Sequence, residues 1–371
     1  MLNVLLFLPF GIALGRSQYQ PVTAVLAVVA TTVGIEALQY SIVVGRDGSV
    51  RDVLANCLGG AAGYLLSPHL HHACRPDRRI ARRLVWGAAG LWVAHACLAT
   101  MAFRSSPTAH RYYGQWASTF EGFDTFNGTV VGATIDGAPL PTGPFPAALE
   151  GAVRDIASPF DLSATVSPGR PSTRLAPIVS VADEMGNEIG LLGQQQNALV
   201  FRTRLDARRM GFGAPTAVLV SAFPGPTAPE MSLIAVGGSL RKSVLRVRAL
   251  YQDGEIMETA LPLTPSLGWT LWWAAFPIPG PSTVVWITWF WLAAPMVIMG
   301  FWSAAERQGS GRNMLGAMKP PMVAAVLVQI VIPAMFGPGW FPPIGDVLAT
   351  SIGLACGIGS VAFVGCHTFG R

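Results

Sequence analysis

The chain has 371 residues, of which 51% are hydrophobic and 12% are charged, and its mean hydropathy is +0.45. Soluble domains carry roughly 25% charged residues, so this composition excludes a wholly soluble protein and indicates a membrane protein. The formal net charge of +5 is spread along the chain. This distribution excludes the concentrated basic stripe of a nucleic-acid-binding protein, and we expect no nucleic-acid partner.

Seven apolar runs fall into two groups along the chain. The first group covers residues 2–15, 21–44, 52–67 and 84–103, and the second covers roughly residues 283–303, 321–337 and 345–366. A spanning helix needs about 20 apolar residues, and most of the runs reach or approach that length, although 2–15 and 52–67 are short. We therefore expect about seven spans. The first run is not a typical secretory signal peptide, because no basic segment precedes it and Arg16 follows it directly.

Two connections between these runs are rich in basic residues. Residues 67–83 include five arginines and one acidic residue, Asp77, and residues 304–319 include three basic residues and Glu306. The positive-inside rule predicts that both connections are cytoplasmic. Counting spans outward from them places residues 104–265 on the outer face, with the start of the chain outside and its end inside.

A phrase near residue 52 returns close to the C terminus. Seven of the twelve positions in DVLANCLGGAAG, residues 52–63, are identical in DVLATSIGLACG, residues 346–357. Their spacing predicts that an aspartate, a polar residue and two glycines share one helical face in each copy. The glycines form G-x-x-x-G pairs, which let a neighbouring helix approach closely. The two matching sets are Asp52, Asn56, Gly59 and Gly63, and Asp346, Thr350, Gly353 and Gly357.

Polar side chains gather at the outer end of the first copy. The preceding run contributes Glu36 and Gln39, which are three residues apart and therefore share a helical face. Ionisable groups within spans cost about 2.5 to 3.5 kcal/mol on insertion scales and indicate a functional site by default. The candidate ligand-binding residues are Glu36, Gln39, Arg46, Arg51, Asp52 and Asn56.

A structural interpretation competes with the functional one. Glu36 could pair with an arginine of the following loop, and each aspartate could cap the N terminus of its helix. The cap is the favoured interpretation of Asp346. Function is favoured for the first cluster, since Gln39 and Asn56 add a polar cost that no cap explains. The second copy has no Glu-x-x-Gln partner, so we interpret it as a degenerate repeat that keeps the packing and loses the polar site.

Three stretches resemble the successive motifs of the VanZ-like membrane proteins. They are NVLLFLPFGIALG from Asn3, IEALQY from Ile35 and RDVLANCLGGAAGYLL from Arg51, in the order and spacing of that family. The resemblance covers about the first 70 residues. It implies a multi-pass protein of the bacterial cytoplasmic membrane with a role in glycopeptide or envelope-stress resistance, and it carries no assigned biochemical activity. Family members have a further helix before the first motif, so we expect the start of this chain to be shortened.

The middle of the chain has the pattern of an all-β domain. Residues 176–205 predict three short strands with turns at 184–187 and near 195–197, residues 232–238 predict another strand, and residues 243–263 predict a hairpin about Asp253 and Gly254. Strands at this spacing, bounded by Gly, Pro and Asn, predict a sandwich. None of the five cysteines lies between residues 104 and 265, so the core of this domain must hold it without disulfides.

The strands of this domain resemble the laminin-G and concanavalin-A-like lectin and glucanase fold. The stretches that carry the resemblance are FDLSATVSP, GLLGQQQNALVFRTR and LRVRALYQDGEIME. It extends over roughly residues 116–263 and implies a jelly-roll sandwich inserted on the outer face of a polytopic α-helical membrane protein. The predicted domains are residues 1–103, with four helices, residues 104–265, the sandwich, and residues 266–371, the C-terminal helices.

The outer domain is interpreted as a binding module rather than a catalyst. Retaining glucanases need paired carboxylates about 5 to 5.5 Å apart, and the Glu-x-Asp-x-x-Glu string that supplies them in this fold does not occur. The acidic stretches EGFDTF and DEMGNE are interpreted as structural. The fold allows calcium at a loop carboxylate, but no ligand set can be named, and no other cofactor or metal is expected. Four arginines either bind an anionic glycan or form the wet face of a strand: Arg202, Arg204, Arg208 and Arg209.

Three further stretches have membrane-related interpretations. HLHHAC, residues 69–74, is interpreted as a headgroup-facing loop, because it lacks the regular spacing of a zinc site. Arginines in residues 78–83 suit anionic lipid at the inner surface. Trp269, Trp272 and Trp273 resemble an interfacial aromatic anchor.

Two functions remain. The favoured one is binding of a glycan or lipid-linked saccharide through the outer domain, with a lipid headgroup in the polar site and Arg46 and Arg51 facing its phosphate. The alternative is an integral-membrane enzyme acting on a lipid-linked phosphate or glycan at the outer leaflet. In that case Glu36 or Asp52 is the general base, and the arginines stabilise a phosphate-bearing transition state. Both functions imply membrane lipids as partners.

Overall fold

Helices occupy all seven positions at which the sequence has an apolar run. The computed structural model describes residues 2–42, 50–74, 76–105, 111–117, 123–147, 149–150, 160–223, 233–241, 243–272, 280–307, 314–336 and 342–366. Four helices precede the strands: α1 (Leu2–Arg16), α2 (Pro21–Ile42), α3 (Val50–Cys74) and α4 (Arg78–Ala102). A short helix, α5 (Asp206–Arg209), lies among the strands. After them come α6 (Pro281–Arg307), α7 (Met314–Val326), a π-helical segment (Leu327–Val331), α8 (Ile332–Phe336) and α9 (Ile344–Cys366).

Five helical segments among the described residues are long and apolar enough to cross a membrane. They are Pro21–Leu38, Arg78–Ala102, Pro281–Arg307, Met318–Met335 and Ile344–Val361, and a shorter apolar helix covers Leu6–Arg16. These helices identify a membrane protein, and the number of about seven spans stays a prediction. The structure corrects the interpretation of residues 69–74, because they form the last turns of α3 and not a loop.

The described chain divides into two compact units. One comprises Met1–Leu91, Ala293–Ala324 and Ser351–Arg371, and the other comprises Trp92–Leu292 and Ala325–Thr350. In the first unit, the beginning of α4 lies beside the end of α6, where Arg82 Nε donates to Glu306 Oε1 at 2.8 Å. Trp302 Nε1, also of α6, donates to the carbonyl of Ala73 at 2.8 Å. The ends of the helices that flank the two basic connections therefore lie together.

The second unit contains a sandwich of two six-stranded sheets. Its strands are β1 (Tyr112–Trp116), β2 (Thr129–Ile135), β3 (Ala138–Pro139), β4 (Gly143–Pro144), β5 (Phe160–Ser167), β6 (Ala176–Asp183), β7 (Glu188–Gln195), β8 (Ala198–Thr203), β9 (Ala217–Leu219), β10 (Ile234–Arg241), β11 (Val244–Leu250) and β12 (Ile256–Pro262). The orders are β4-β1-β6-β7-β8-β9 and β12-β11-β10-β5-β2-β3, and every pairing is antiparallel.

The period-two pattern of the strands explains the sandwich core. In β11, Leu245, Val247 and Ala249 are buried while Arg246 and Arg248 are exposed, because successive side chains point to opposite faces. The three predicted strands in residues 176–205 are confirmed as β6, β7 and β8, and the predicted hairpin is confirmed as β11 and β12. The two-sheet, all-β class is thereby confirmed, and a jelly-roll order stays a prediction.

The core of the sandwich continues into the adjoining helices of the same unit. Ala99 and Phe103, at the end of α4, pack in one cluster with the strands, as do Leu267 and Leu271 of a 3₁₀ helix, Pro265–Trp272. The prediction that Trp269 is an interfacial aromatic anchor was wrong. Its ring is buried in protein, and its Nε1 donates to Thr288 Oγ1 at 3.0 Å. The sandwich therefore packs directly against the adjoining parts of α4 and α6.

Candidate functional site

Glycines of α3 bring it into close contact with α1. A Cβ atom added at Gly59 or at Gly63 would lie within 3.0 Å of a backbone carbonyl oxygen of α1, that of Val4 or that of Leu8. Real Cβ atoms essentially never come so close to such an atom. Because both contacts advance along the two helices together, α1 and α3 run parallel. In the structure, α1 is the helix that the first G-x-x-x-G pair approaches.

The second copy of the phrase packs in the same way. Cβ atoms added at Gly353 and Gly357 of α9 would lie within 3.0 Å of backbone atoms of Ala293 and Val297 in α6. These α6 residues are spaced as Val4 and Leu8 are, so the second pair also has a parallel partner. In the structure, α6 is the helix that Gly353 and Gly357 approach.

The partner helices α1 and α6 each contribute a glycine of their own to these contacts, at corresponding positions. Gly11 of α1 approaches the backbone of Gly60, and Gly300 of α6 approaches the backbone of Leu354. Gly11 follows Val4 by the same number of residues as Gly300 follows Ala293, and Gly60 and Leu354 each follow the first glycine of their pair. The α6 and α9 contacts therefore reproduce the α1 and α3 contacts position by position, which the repeated phrase alone did not reveal.

The other side of α3 packs against α2. Every fourth residue of α2 is buried along one stripe, formed by Ala24, Val28, Thr32 and Glu36. Val28 fixes the register, because a Cβ added at Gly60 of α3 would lie 2.7 Å from its methyl carbons. The two helices are consecutive and run antiparallel, so one helical turn from this contact leads to Thr32 on α2 and to Asn56 on α3.

Three of the predicted site residues lie wholly or partly buried on α2 and α3. Glu36 is 9% exposed and Asn56 is 4% exposed, and Asp52 is half-buried. The side chains of Gln39 and Arg51, and the whole of Arg46, lie outside the described residues. We call Thr32, Glu36, Asp52 and Asn56 the polar stripe, and its role in binding stays a prediction.

Neither aspartate occupies the position of an N-cap. Helix α3 begins two residues before Asp52, and α9 begins two residues before Asp346. The N–H of Asp346 already donates to the carbonyl of Pro343 at 2.9 Å, so this residue lies within the first turn. Its carboxylate accepts a hydrogen bond from the side chain of Ser266 in the 3₁₀ helix. The predicted cap at Asp346 was wrong.

The second copy retains polar residues that sequence reasoning missed. Gln329, in the π-helical segment, donates through Nε2 to Thr350 Oγ1 and, at 3.2 Å, to the carbonyl of Asp346. Thr350 Oγ1 in turn donates to that carbonyl at 2.7 Å, and all three residues are buried. The second copy therefore keeps buried polar residues, and the interpretation that it has lost the polar site stays a prediction. A lone glutamine within the apolar run of residues 321–337 was the signal that could have found those residues.

The arginines of the sandwich are paired with carboxylates. Arg204 Nη1 lies 2.7 Å from Asp183 Oδ2, Arg208 Nη1 lies 3.0 Å from Glu188 Oε1, and Arg202 also pairs with Glu188. Arg202, Arg204 and Arg208 are not a solvated face, because each is paired with a carboxylate and largely covered. Arg202 and Arg208 share Glu188, so this group of three residues keeps one net positive charge. Arg209 is exposed.

Asp183, in one of the two acidic stretches that we interpreted as structural, makes structural contacts, whereas Glu121 of the other stretch lies outside the described residues. Asp183 accepts hydrogen bonds from the backbone N–H groups of Met185 and Asn187 in the turn after β6. Burial raises the pKa of Asp183, but its hydrogen bonds to Asn187, Arg204 and Met185 lower it further, so the net shift is downward. In the described residues, no group of three or more His, Cys, Asp and Glu side chains is arranged to hold a metal ion.

Comparison with known proteins identifies the first helices. Residues 1–71 match the model of the VanZ/LLP1 family, a stretch that covers α1, α2 and most of α3. The resemblance of the first helices, which we call the first module (residues 1–71), to the VanZ-like proteins is thereby confirmed. Searches of curated proteins and of solved structures find no significant match to the chain. The laminin-G and concanavalin-A-like resemblance of the sandwich therefore stays a prediction.

Proposed function

We propose that this protein binds a lipid headgroup at the polar stripe, within the bacterial cytoplasmic membrane and facing its outer leaflet. The sandwich lies outside the cell in this proposal and captures the glycan portion of the same lipid-linked saccharide. The VanZ-like first module supports a role in the cell envelope, including resistance to glycopeptides or envelope stress.

One observation carries the proposal: a carboxylate and an amide, Glu36 and Asn56, are buried on two neighbouring membrane helices, and Asp52, one turn before Asn56, is half-buried. Burying such groups in a membrane segment is costly, so they are retained where they line an ion or substrate site. Carboxylates accept charge-assisted hydrogen bonds from the hydroxyl groups of a glycerol or sugar headgroup. Arg46 and Arg51, near the start of α3 in the sequence, would pair with its phosphate.

The arrangement of the connections supports the outer placement of the sandwich. The Arg82–Glu306 ion pair joins the beginning of α4 to the end of α6, next to the two basic connections. The sandwich follows the opposite end of α4 in the chain and precedes the opposite end of α6. If the basic connections are cytoplasmic by the positive-inside rule, the sandwich is outside.

The variants Glu36→Gln and Asp52→Asn test the binding site. Dihexanoyl phosphatidylglycerol, which has a phosphate and two free hydroxyls, is expected to raise the melting temperature of the wild-type protein in uncharged detergent. Each variant keeps the side-chain shape and removes a charged acceptor worth about 1.5 to 3 kcal/mol, so affinity should fall by roughly tenfold or more. Asp346→Asn, in the second copy, is the matched control and should bind as the wild type does.

Three outcomes decide between the functions. Equal affinity in all three variants would contradict binding at the polar stripe. Lower melting temperatures of Glu36→Gln and Asp52→Asn, with unchanged affinity, would show that the stripe is structural. The alternative hypothesis is that the protein is an enzyme that releases the headgroup. It would be established if Glu36→Gln or Asp52→Asn still bound the lipid but no longer released its headgroup, in an assay on the same lipid.

A further inference from the structure

Thr32 has a buried hydroxyl group with no hydrogen-bond partner. Its side chain is 0% exposed, and its Oγ1 makes no hydrogen bond in the described structure. Buried polar side chains nearly always have a partner, so an unpaired one needs a physical explanation. The residue lies on the buried stripe of α2, one helical turn from Glu36.

Two other buried threonines in the membrane helices bond their hydroxyl groups within their own helix. Thr100 donates to the carbonyl of Ala96, and Thr350 donates to the carbonyl of Asp346, each at 2.7 Å and each four residues back. This bond is the usual one for a threonine in a helix. Thr32 does not make it.

The register of the two helices sets what Thr32 faces. Val28 packs on Gly60, and one turn from each of these residues leads to Thr32 on α2 and Asn56 on α3, whose side chain is buried. The hydroxyl group of Thr32 therefore lies in the same interface as the other groups of the polar stripe, at its inner end.

The second copy provides an internal comparison. Thr350 is the counterpart of Asn56 in the repeated phrase, and its Oγ1 accepts a hydrogen bond from Gln329 of the preceding helical segment. In the first copy the register places Thr32 opposite Asn56, and the hydroxyl group of Thr32 has no partner in the described structure. The protein itself thus fills this polar contact in the second copy and does not fill it at Thr32 in the first.

We infer that Thr32 is a ligand-binding residue at the inner end of the polar stripe, where its hydroxyl group hydrogen-bonds a hydroxyl-bearing anionic headgroup such as a phosphoglycerol or phosphosugar. This inference rests on the proposed function and extends its site one helical turn deeper. The headgroup supplies the partner that α2 and α3 do not supply, and the hydroxyl group would discriminate against lipids without a polyol.

Thr32→Val and Thr32→Ser test this role. Valine keeps the shape of threonine and removes its hydroxyl group, while serine keeps the hydroxyl group. Affinity for dihexanoyl phosphatidylglycerol, measured by lipid-dependent thermal stabilisation, is expected to fall about three- to tenfold in Thr32→Val, as for one neutral hydrogen bond, and to stay near the wild-type value in Thr32→Ser. The lipid-free melting temperature of Thr32→Val should equal or exceed that of the wild type, because an unpaired buried hydroxyl group has been removed.

Each contrary result has a distinct meaning. Wild-type affinity in Thr32→Val overturns this inference and leaves the proposed function standing. A clear drop in the lipid-free melting temperature of Thr32→Val also overturns it, because the hydroxyl group would then be a structural one. Failure of the lipid to stabilise the wild-type protein overturns the proposed function and this inference with it.

Discussion

Gly59→Ala and Gly357→Ala are each expected to destabilise the protein by about 3 kcal/mol. Overpacking typically costs about 1 to 3 kcal/mol, and the upper end applies here because the added methyl group would meet the backbone of a neighbouring helix, which cannot move aside as a flexible side chain can. The measurement is thermal unfolding in detergent, followed by tryptophan fluorescence.

Gly87→Ala and Gly90→Ala in α4 are the matched controls. An added Cβ at either position has no neighbour within 4 Å, and alanine is the better helix former by up to about 1 kcal/mol. Both variants should match or exceed the wild-type melting temperature. If Gly59→Ala and Gly357→Ala behave like these controls, the close approach of α1 to α3 and of α6 to α9 is wrong. A large effect at Gly59 alone would show that the two copies are not equivalent in packing.

The second large effect is expected in the sandwich, where Asp183→Ala should cost about 3 kcal/mol. Breaking a buried ion pair by removing one partner costs roughly 3 to 5 kcal/mol, and the lower end applies because Arg204 keeps some exposure to solvent. The variant also leaves two turn N–H groups without their acceptor. Hydrogen exchange of residues 176–205 in the intact protein measures the local loss of stability.

The lowered pKa of Asp183 predicts that the local stability of the sandwich depends on pH. Because the pKa of Asp183 is lowered in the folded protein, its contribution is fully present above the unfolded value of about 3.9 and is lost as the pH falls below that value. Protection of residues 176–205 should therefore fall in acid in the wild type and depend less on pH in Asp183→Ala. The matched control is Glu258→Ala, which breaks the exposed Arg246–Glu258 pair and should cost less than about 1 kcal/mol. Equal losses in both variants would contradict the role given to Asp183.

The positions of most elements follow from local pattern. Apolar runs located the helices because burial in lipid requires long apolar stretches, and alternation with turn residues located β6, β7, β8, β11 and β12. Partners across the fold do not follow from such patterns. Arg204 pairs with Asp183 across the intervening strand β7. This contact depends on the register of β6 against β7, and irregularities in that pairing shift the register.

The candidate site was predictable to a similar extent. Spacing on a helix placed Glu36 on one face of α2, and it placed Asp52 and Asn56 on one face of α3. It could not name the helix that the glycines approach, because G-x-x-x-G specifies a close contact and not a partner. Thr32 was missed because a lone threonine in an apolar run normally bonds to its own helix. Gln329 was missed because it has no Glu-x-x-Gln motif and lies in a π-helical segment.

The two copies have diverged in chemistry while keeping their packing. Both have parallel helices held together by glycines at corresponding positions. The first has a carboxylate, Glu36, on the adjacent helix, whereas the second has the amide of Gln329, which is bonded to Thr350. In the second copy the polar side chains are bonded to each other, whereas the first copy has a buried carboxylate as well. We therefore assign binding to the first copy alone.

Cysteine labelling in spheroplasts tests the central claim, that the sandwich and the polar stripe face the outside of the cell, most directly. In a variant without native cysteines, Met185→Cys places a thiol at an 83% exposed position of the sandwich. Restoring Cys74 alone places one at the exposed end of α3, beside the first basic connection. A membrane-impermeant maleimide is expected to label residue 185 in intact spheroplasts and Cys74 only after permeabilisation. Labelling of Cys74 without permeabilisation, with residue 185 protected, would contradict the account.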